Sequence, residues 1–271
     1  MRRILCNFEK INAMQVPVMS ELAARGETPD ILFWVGCAGS FDQRAQRVTK
    51  AFASILDRTG IRYAILGREE ACTGDPARRA GNEFLFQMMA YQNIQVLNGY
   101  GIRKIVTACP HCFNVLKNEY PELGGTYEVV HHAEFLQALI DEGRIVLKEA
   151  GAFKGRKITY HDSCYLGRAN GIYEAPRKVI EALDAELAEM KSCRSRGLCC
   201  GAGGGQMFKE EEAGQLRVNL ARTGEAIATG AQIIAAACPF CNTMLTDGLK
   251  VKERESDMEV LDIAELIARS M

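Results

Sequence analysis

"KIVTACPHC" (104–112) and "QIIAAACPFC" (232–241) have the same layout: a short apolar run, then a cysteine, a proline, one further residue and a second cysteine. The apolar runs predict strands buried on both faces. A proline directly after the first cysteine predicts the first turn of a helix, where its missing N–H costs nothing. A buried strand running into a helix is the building unit of a parallel sheet covered on both sides.

The two stretches are offset by 129 positions, and other pairs follow them. Cys37 and Cys164 are 127 apart, as are Cys72 and Cys199, and "EVVHHAEFL" (128–136) recurs as "EVLDIAELI" (259–267) at 131. Four ordered matches with a slowly drifting offset indicate a duplicated unit. In the first copy "ILFWVG" ends at Cys37, and a helical pattern with Val48, Phe52, Ile55 and Leu56 on one face closes at Gly60. "YAILG", a long helix from about Ala77 to Leu97, "KIVTA" and "YEVVHH" complete it. In the second copy "KITYHD" leads to Cys164, Val179, Ile180 and Leu183 mark the next helix, and "QIIAAA" runs into Cys238. The predicted fold is α/β, two pseudo-symmetric Rossmann-like domains: an N-terminal arm over 1–30 with a helix from Val18 to Arg25, a first domain over 31–150 and a second over 151–271. The join is placed in "KEAGAFKGRK" (148–157). In such sheets ligands gather beyond the carboxyl ends of the strands, where Cys37, Cys109, Cys164 and Cys238 each follow an apolar run.

A chain of 271 residues, 48% hydrophobic and 25% charged, has the balance of a soluble globular protein. Its net charge of -1 gives no footprint for nucleic acid or an acidic surface. The opening "MRRILCNFEK" has no signal-peptide core, and no run approaches the ~18 apolar residues of a membrane span. A cytoplasmic location is therefore expected. Eleven cysteines in a reducing compartment read as metal-binding or redox residues rather than a disulfide framework.

Nine of them fall into register. The second copy offers Cys164, Cys199, Cys200, Cys238 and Cys241, and the first offers Cys37, Cys72, Cys109 and Cys112, with Thr73 in the place of Cys200. A lone Cys-x-x-Cys also suits a thioredoxin-type pair or half a zinc site. Two in matched settings, each with distant cysteines at repeat spacing, are far more specific, and soft thiolates select zinc or iron–sulfur clusters. In "LCCGAGGG" (198–205), Gly201, Gly203 and Gly204 let the backbone approach an inorganic anion and point N–H groups at it.

This duplicated Cys…Cys-Cys-Gly…Cys-x-x-Cys pattern resembles the cysteine-rich CCG domain of heterodisulfide reductase and its relatives, over about residues 30 to 270. "FWVGCAGSFD", "CTGDPARR", "TACPHCFN" and "YHDSCYLGR" are most similar to the C-terminal half of oxidoreductases that link electron-transfer flavoprotein to menaquinone. The resemblance implies a noncubane 4Fe-4S cluster held by Cys164, Cys199, Cys200, Cys238 and Cys241. For the first copy it leaves either a cubane 4Fe-4S cluster or a four-cysteine zinc site on Cys37, Cys72, Cys109 and Cys112. It implies an iron–sulfur electron-transfer subunit of a multisubunit, quinone-linked oxidoreductase. The partners would be a ferredoxin-type or membrane-anchored subunit and electron-transfer flavoprotein, with the chain peripheral to the inner membrane through them. Disulfide cleavage between two noncubane clusters is not expected with one complete site. A disulfide reductase using the second site alone and a zinc-stapled interaction protein stand as alternatives.

His161, three residues before Cys164, is the candidate for contacting the cluster sulfurs or moving a proton. His111 reads either as a donor to a cluster sulfur or as a solvent-exposed side chain. His131 and His132 read as core or capping groups, Arg78 and Arg79 as a solvated helix start or a contact to a partner or an anionic cofactor, and Cys6 and Cys193 as small buried hydrophobes or incidental thiols.

Overall fold

The computed structural model describes residues 16–148, 151–210 and 214–271; most of the N-terminal arm, including Cys6, lies outside them. In chain order the elements are α1 (Met19–Ala24), β1 (Ile31–Trp34), α2 (Gly36–Phe41), α3 (Gln43–Arg58), β2 (Tyr63–Ala64), α4 (Asp75–Arg79), α5 (Glu83–Gly99), β3 (Lys104–Thr107), α6 (Pro110–Asn114), β4 (Glu128–His131) and α7 (His132–Asp141). They continue as β5 (Lys157–Tyr160), α8 (Glu174–Glu181), β6 (Glu186–Leu187), α9 (Val218–Ala228), β7 (Ile233–Ala236), α10 (Pro239–Val251), β8 (Glu259–Asp262) and α11 (Ile263–Ser270).

Each half carries a four-stranded, wholly parallel sheet. The orders are β2-β1-β3-β4 and β6-β5-β7-β8. Registers correspond as the duplication requires: Leu32 opposes Ile105 in the first sheet, and Thr159 opposes Ile234 in the second. The central strands β1 and β7 are buried at every residue, which is why they are continuous apolar runs rather than alternating ones. In α3 the side chains of Val48, Phe52, Ile55 and Leu56 are at most 2% exposed, so the 3.6-residue stripe is the face that packs into the core. Asp42 caps that helix through the N–H of Ala45.

This order has a topological consequence. From β1 the chain winds to β2 on one side, then crosses to β3 on the other, so β1 and β3 flank the switch point; β5 and β7 do the same in the second sheet. A crevice opens at the carboxyl ends there. Cys37 and Cys109 stand after β1 and β3, and Cys164 and Cys238 after β5 and β7.

Two expectations meet finer detail. The long helix expected from about Ala77 is two helices, α4 and α5, separated at Gly81, whose φ of +84° ends the first. The chain divides into compact units between His131 and His132. Helix α7, which the repeat places in the first copy, packs on α8 and α11 in the second unit.

Candidate iron–sulfur centres

In the second unit, five thiols from three segments form a connected set. Cys164 is hydrogen-bonded to Cys199, Cys199 to Cys200, Cys200 to Cys241 and Cys241 to Cys238. Cys199 accepts from Cys164 and Cys200 and from the N–H of Gly201 at 3.3 Å, and its pKa is driven far below that of an ordinary thiol. Its neighbours are pushed the other way: donation to Cys199, then burial, raises Cys164, and contacts with Cys200 and Cys238, then burial, raise Cys241. One thiolate surrounded by thiols that must shed their protons together is an arrangement completed by a cation. Every donor is a soft sulfur. The set therefore fits an iron–sulfur group.

The surrounding backbone suits the same negative charge. Gly201 has φ +91°, and a Cβ there would lie 3.3 Å from Cβ of Val218, so only glycine lets this N–H turn back onto Cys199. A Cβ on Gly203 would lie 3.7 Å from Sγ of Cys164, while Gly204, φ +67°, has open space where its Cβ would be. Cys238 is the N-cap of the 13-residue α10 with Pro239 in its first turn, so the positive end of that helix faces the sulfurs.

The first unit repeats the plan with one sulfur fewer. Gly74 has the same φ of +91° as Gly201, and its N–H lies 3.5 Å from Sγ of Cys72, which is lowered to about 7 chiefly by the Cys37 thiol. Cys37 is correspondingly raised, and Cys109 together with burial raises Cys112. Thr73 donates from Oγ1 to Sγ of Cys112 at 3.9 Å, as Cys200 contacts Cys241. Thr73 in the place of a cysteine therefore removes one sulfur and keeps the loop.

Several polar groups that the sequence did not single out support these loops. Glu70 accepts from the N–H groups of Val35 (3.1 Å) and Gly36 (2.6 Å), lines a small cleft with Cys37 and Cys72, and is pushed up to about 7 by burial. Asp162 accepts from both terminal nitrogens of Arg177 (2.8 and 3.0 Å) and from the N–H of Arg194 (2.6 Å). Arg222, fully buried on α9, donates from Nε to Nδ1 of His161 at 2.9 Å. A sequence signal for Arg222 existed: Asn219, Arg222, Thr223 and Ala226 form the inward stripe of α9, so a charge stands on a buried face.

The remaining candidates have structural partners. His111 is buried with Nδ1 2.9 Å from Asp75, so the solvent-exposed alternative does not hold, and Arg78 and Arg79, in the short α4, pair with the carboxylate of Glu119. His132 pairs with Asp262 at 2.8 Å, and the ring of His131 meets Phe113 edge-on. Cys193 precedes the 3-10 turn Arg194–Arg196.

The sequence profile of the cysteine-rich CCG domain matches residues 31–117 and 158–246. The chain is 44% identical over 258 residues to "Probable iron-sulfur-binding oxidoreductase FadF" of Bacillus subtilis, covering 95% of this chain and 36% of that protein. It is 44% identical over 252 residues to "EtfAB:quinone oxidoreductase" of Syntrophomonas wolfei, covering 91% and 35%. With a subunit of the dihydromethanophenazine:CoB--CoM heterodisulfide reductase of Methanosarcina mazei the identity is 35%, covering 89% and 59%. The chain thus spans about a third of the first two relatives. Among solved structures, a hypothetical protein from Helicobacter pylori shares the fold at TM-score 0.56 and 11% identity, covering 90% of this chain and 49% of that one. Among the described residues no helix is long and apolar enough to cross a membrane.

Proposed function

The chain belongs to the cysteine-rich CCG domain family, and from that membership we propose that it is the iron–sulfur electron-transfer module of a multisubunit, quinone-linked oxidoreductase. The observation that carries the reading is the connected set of five cysteines that the second unit brings together from three segments of the chain. Cys164, Cys199, Cys200, Cys238 and Cys241 would hold a noncubane 4Fe-4S cluster, and Cys37, Cys72, Cys109 and Cys112 a cubane 4Fe-4S cluster or zinc. Bound there, an iron–sulfur group supplies one-electron redox chemistry. The protein's part is to bury the sulfurs, donate the Gly201 and Gly74 N–H groups to them, and present the α10 N-terminus. Relatives whose names specify electron-transfer flavoprotein, quinone or a membrane anchor favour a flavoprotein and a ferredoxin-type or membrane-anchored subunit as partners. The module would then sit at the membrane through that subunit.

Protein purified anaerobically from iron-replete cells should contain at least about four irons and matching acid-labile sulfide per chain. A colourless, sulfide-free preparation, or zinc in the second unit, would sink the proposal.

The first unit offers a gain-of-ligand test. Thr73→Cys places a fifth thiol against Cys112, and iron-to-zinc ratio and paramagnetic resonance should show the first unit's signature moving toward that of the second. Unchanged metal content and spectra would mean that the missing sulfur does not set the asymmetry.

A further inference from the structure

The five-sulfur set does not need His161, yet its imidazole is 1% exposed directly after β5. One of its ring nitrogens and the Sγ atoms of Cys200 and Cys241 lie within 4.8 Å of one another. Proximity alone would suit a sixth ligand. The hydrogen bond at Nδ1 argues against that. Nδ1 lies 2.9 Å from Nε of Arg222. A guanidinium has only donors, so Nδ1 must be the acceptor, and the neutral ring then carries its proton on Nε2. That nitrogen has no partner among the described residues and is the one left to engage the sulfurs. An N–H can donate to a sulfur; it cannot bind a metal without losing its proton. Arg222 is itself held, by the carbonyl of Ser192 at 2.6 Å and Glu225 at 2.8 Å, so the tautomer is fixed from outside the cysteine loops.

The duplication supplies an independent observation. Trp34 stands 127 positions before His161, the offset that relates Cys37 to Cys164. The strand registers agree, since Leu32 opposite Ile105 corresponds to Thr159 opposite Ile234, and Trp34 and His161 each lie two residues further on. The Trp34 indole is fully buried, and Nε1 also lacks a partner among the described residues. Indole donates and never ligates. Both copies thus keep a buried, unpartnered ring nitrogen at this position, and in the first copy it can only be a donor.

We infer that His161, locked by Arg222 as the Nε2–H tautomer, is a fixed hydrogen-bond donor to the sulfurs of Cys200 and Cys241 that raises the reduction potential of the second centre and does not ligate its metal. The inference rests on the proposed iron–sulfur occupancy of that centre. Reduction would add negative charge to the cluster and its sulfurs, and a donor fixed beside them stabilises the reduced form more than the oxidised one.

The test uses the full chain, purified anaerobically, with iron and sulfide analysis and a redox titration followed by paramagnetic resonance. His161→Leu should keep the wild-type iron and sulfide but lower the reduction equilibrium constant about tenfold, about 59 mV for a one-electron couple. His161→Gln, whose amide N–H falls near the place of Nε2, should recover most of that shift, and Arg222→Met should move the potential in the same direction as His161→Leu. An unmoved potential in His161→Leu with the cluster intact overturns the inference, and so does loss of iron from both His161 variants, which would make the ring a ligand. Nitrogen-15 spectra of histidine-labelled wild-type chain loaded with zinc give a readout independent of variant folding: Nε2–H is expected, and Nδ1–H overturns the inference. Absence of iron from the wild-type chain would instead overturn the occupancy reading, while leaving the tautomer result to stand or fall by itself.

Discussion

Cys200→Ser should abolish the cofactor proposed for the second unit while leaving the one proposed for the first unit in place. Cys200 is 2% exposed and stands between Cys199 and Cys241, so it joins the loop sulfurs to those at the start of α10. A hydroxyl there is a harder, weaker ligand for iron, and the set would fall from five soft donors to four. Separate iron, zinc and sulfide counts, with paramagnetic spectra, decide the matter. Parallel loss from both units would contradict the view that each sheet holds its own site.

Arg177→Met should cause the largest loss of stability. Arg177 is 1% exposed, and its guanidinium binds both oxygens of Asp162, both oxygens of Glu189 (2.6 and 2.9 Å) and the carbonyl of Tyr173 (2.8 Å). Removing it leaves the buried Asp162 carboxylate without its counter-ion, a class of change that costs about 3–5 kcal/mol. For a unit of this size the melting temperature should fall by roughly 10 °C. Breaking the neighbouring exposed pair with Arg194→Ala should cost only about 0–1 kcal/mol, because solvent screens Arg194 and Glu174. Thermal denaturation of the two variants side by side is the check. Similar melting points would show that the buried network is not what holds the loop between β5 and Cys164.

The parts of the molecule legible in the sequence are those written locally or twice. "ILFWVG", "KIVTA", "KITYHD" and "QIIAAA" each contain a strand because a strand buried on both faces needs an unbroken apolar run. Cys37, Cys109, Cys164 and Cys238 could be placed beyond strand ends because strand and following turn are contiguous in the chain. Less accessible were features that depend on distant partners. Nothing near His161 announces Arg222, 61 positions away, and nothing near Cys37 announces Glu70, whose oxygens cap the backbone after β1. The break between α4 and α5 was written locally after all, since Gly81 takes a φ of +84° and Asn82 directly after it caps α5 through the N–H of Leu85. The fate of α7 was invisible for a different reason: sequence similarity to α11 reveals ancestry, and packing is decided by which apolar surface is nearest.

That last point bears on how the protein can be taken apart. Anyone dissecting the halves at the repeat's own seam, near residue 150, would cut away the segment carrying Leu136 and Leu139, both buried, and with it His132, which grips Asp262 at the root of α11. The carboxy-terminal piece would be left with bare oily surface on α8 and α11, and Asp262 would lose its histidine partner. A cut that follows the packing falls ahead of His132, inside the first repeat rather than at its seam.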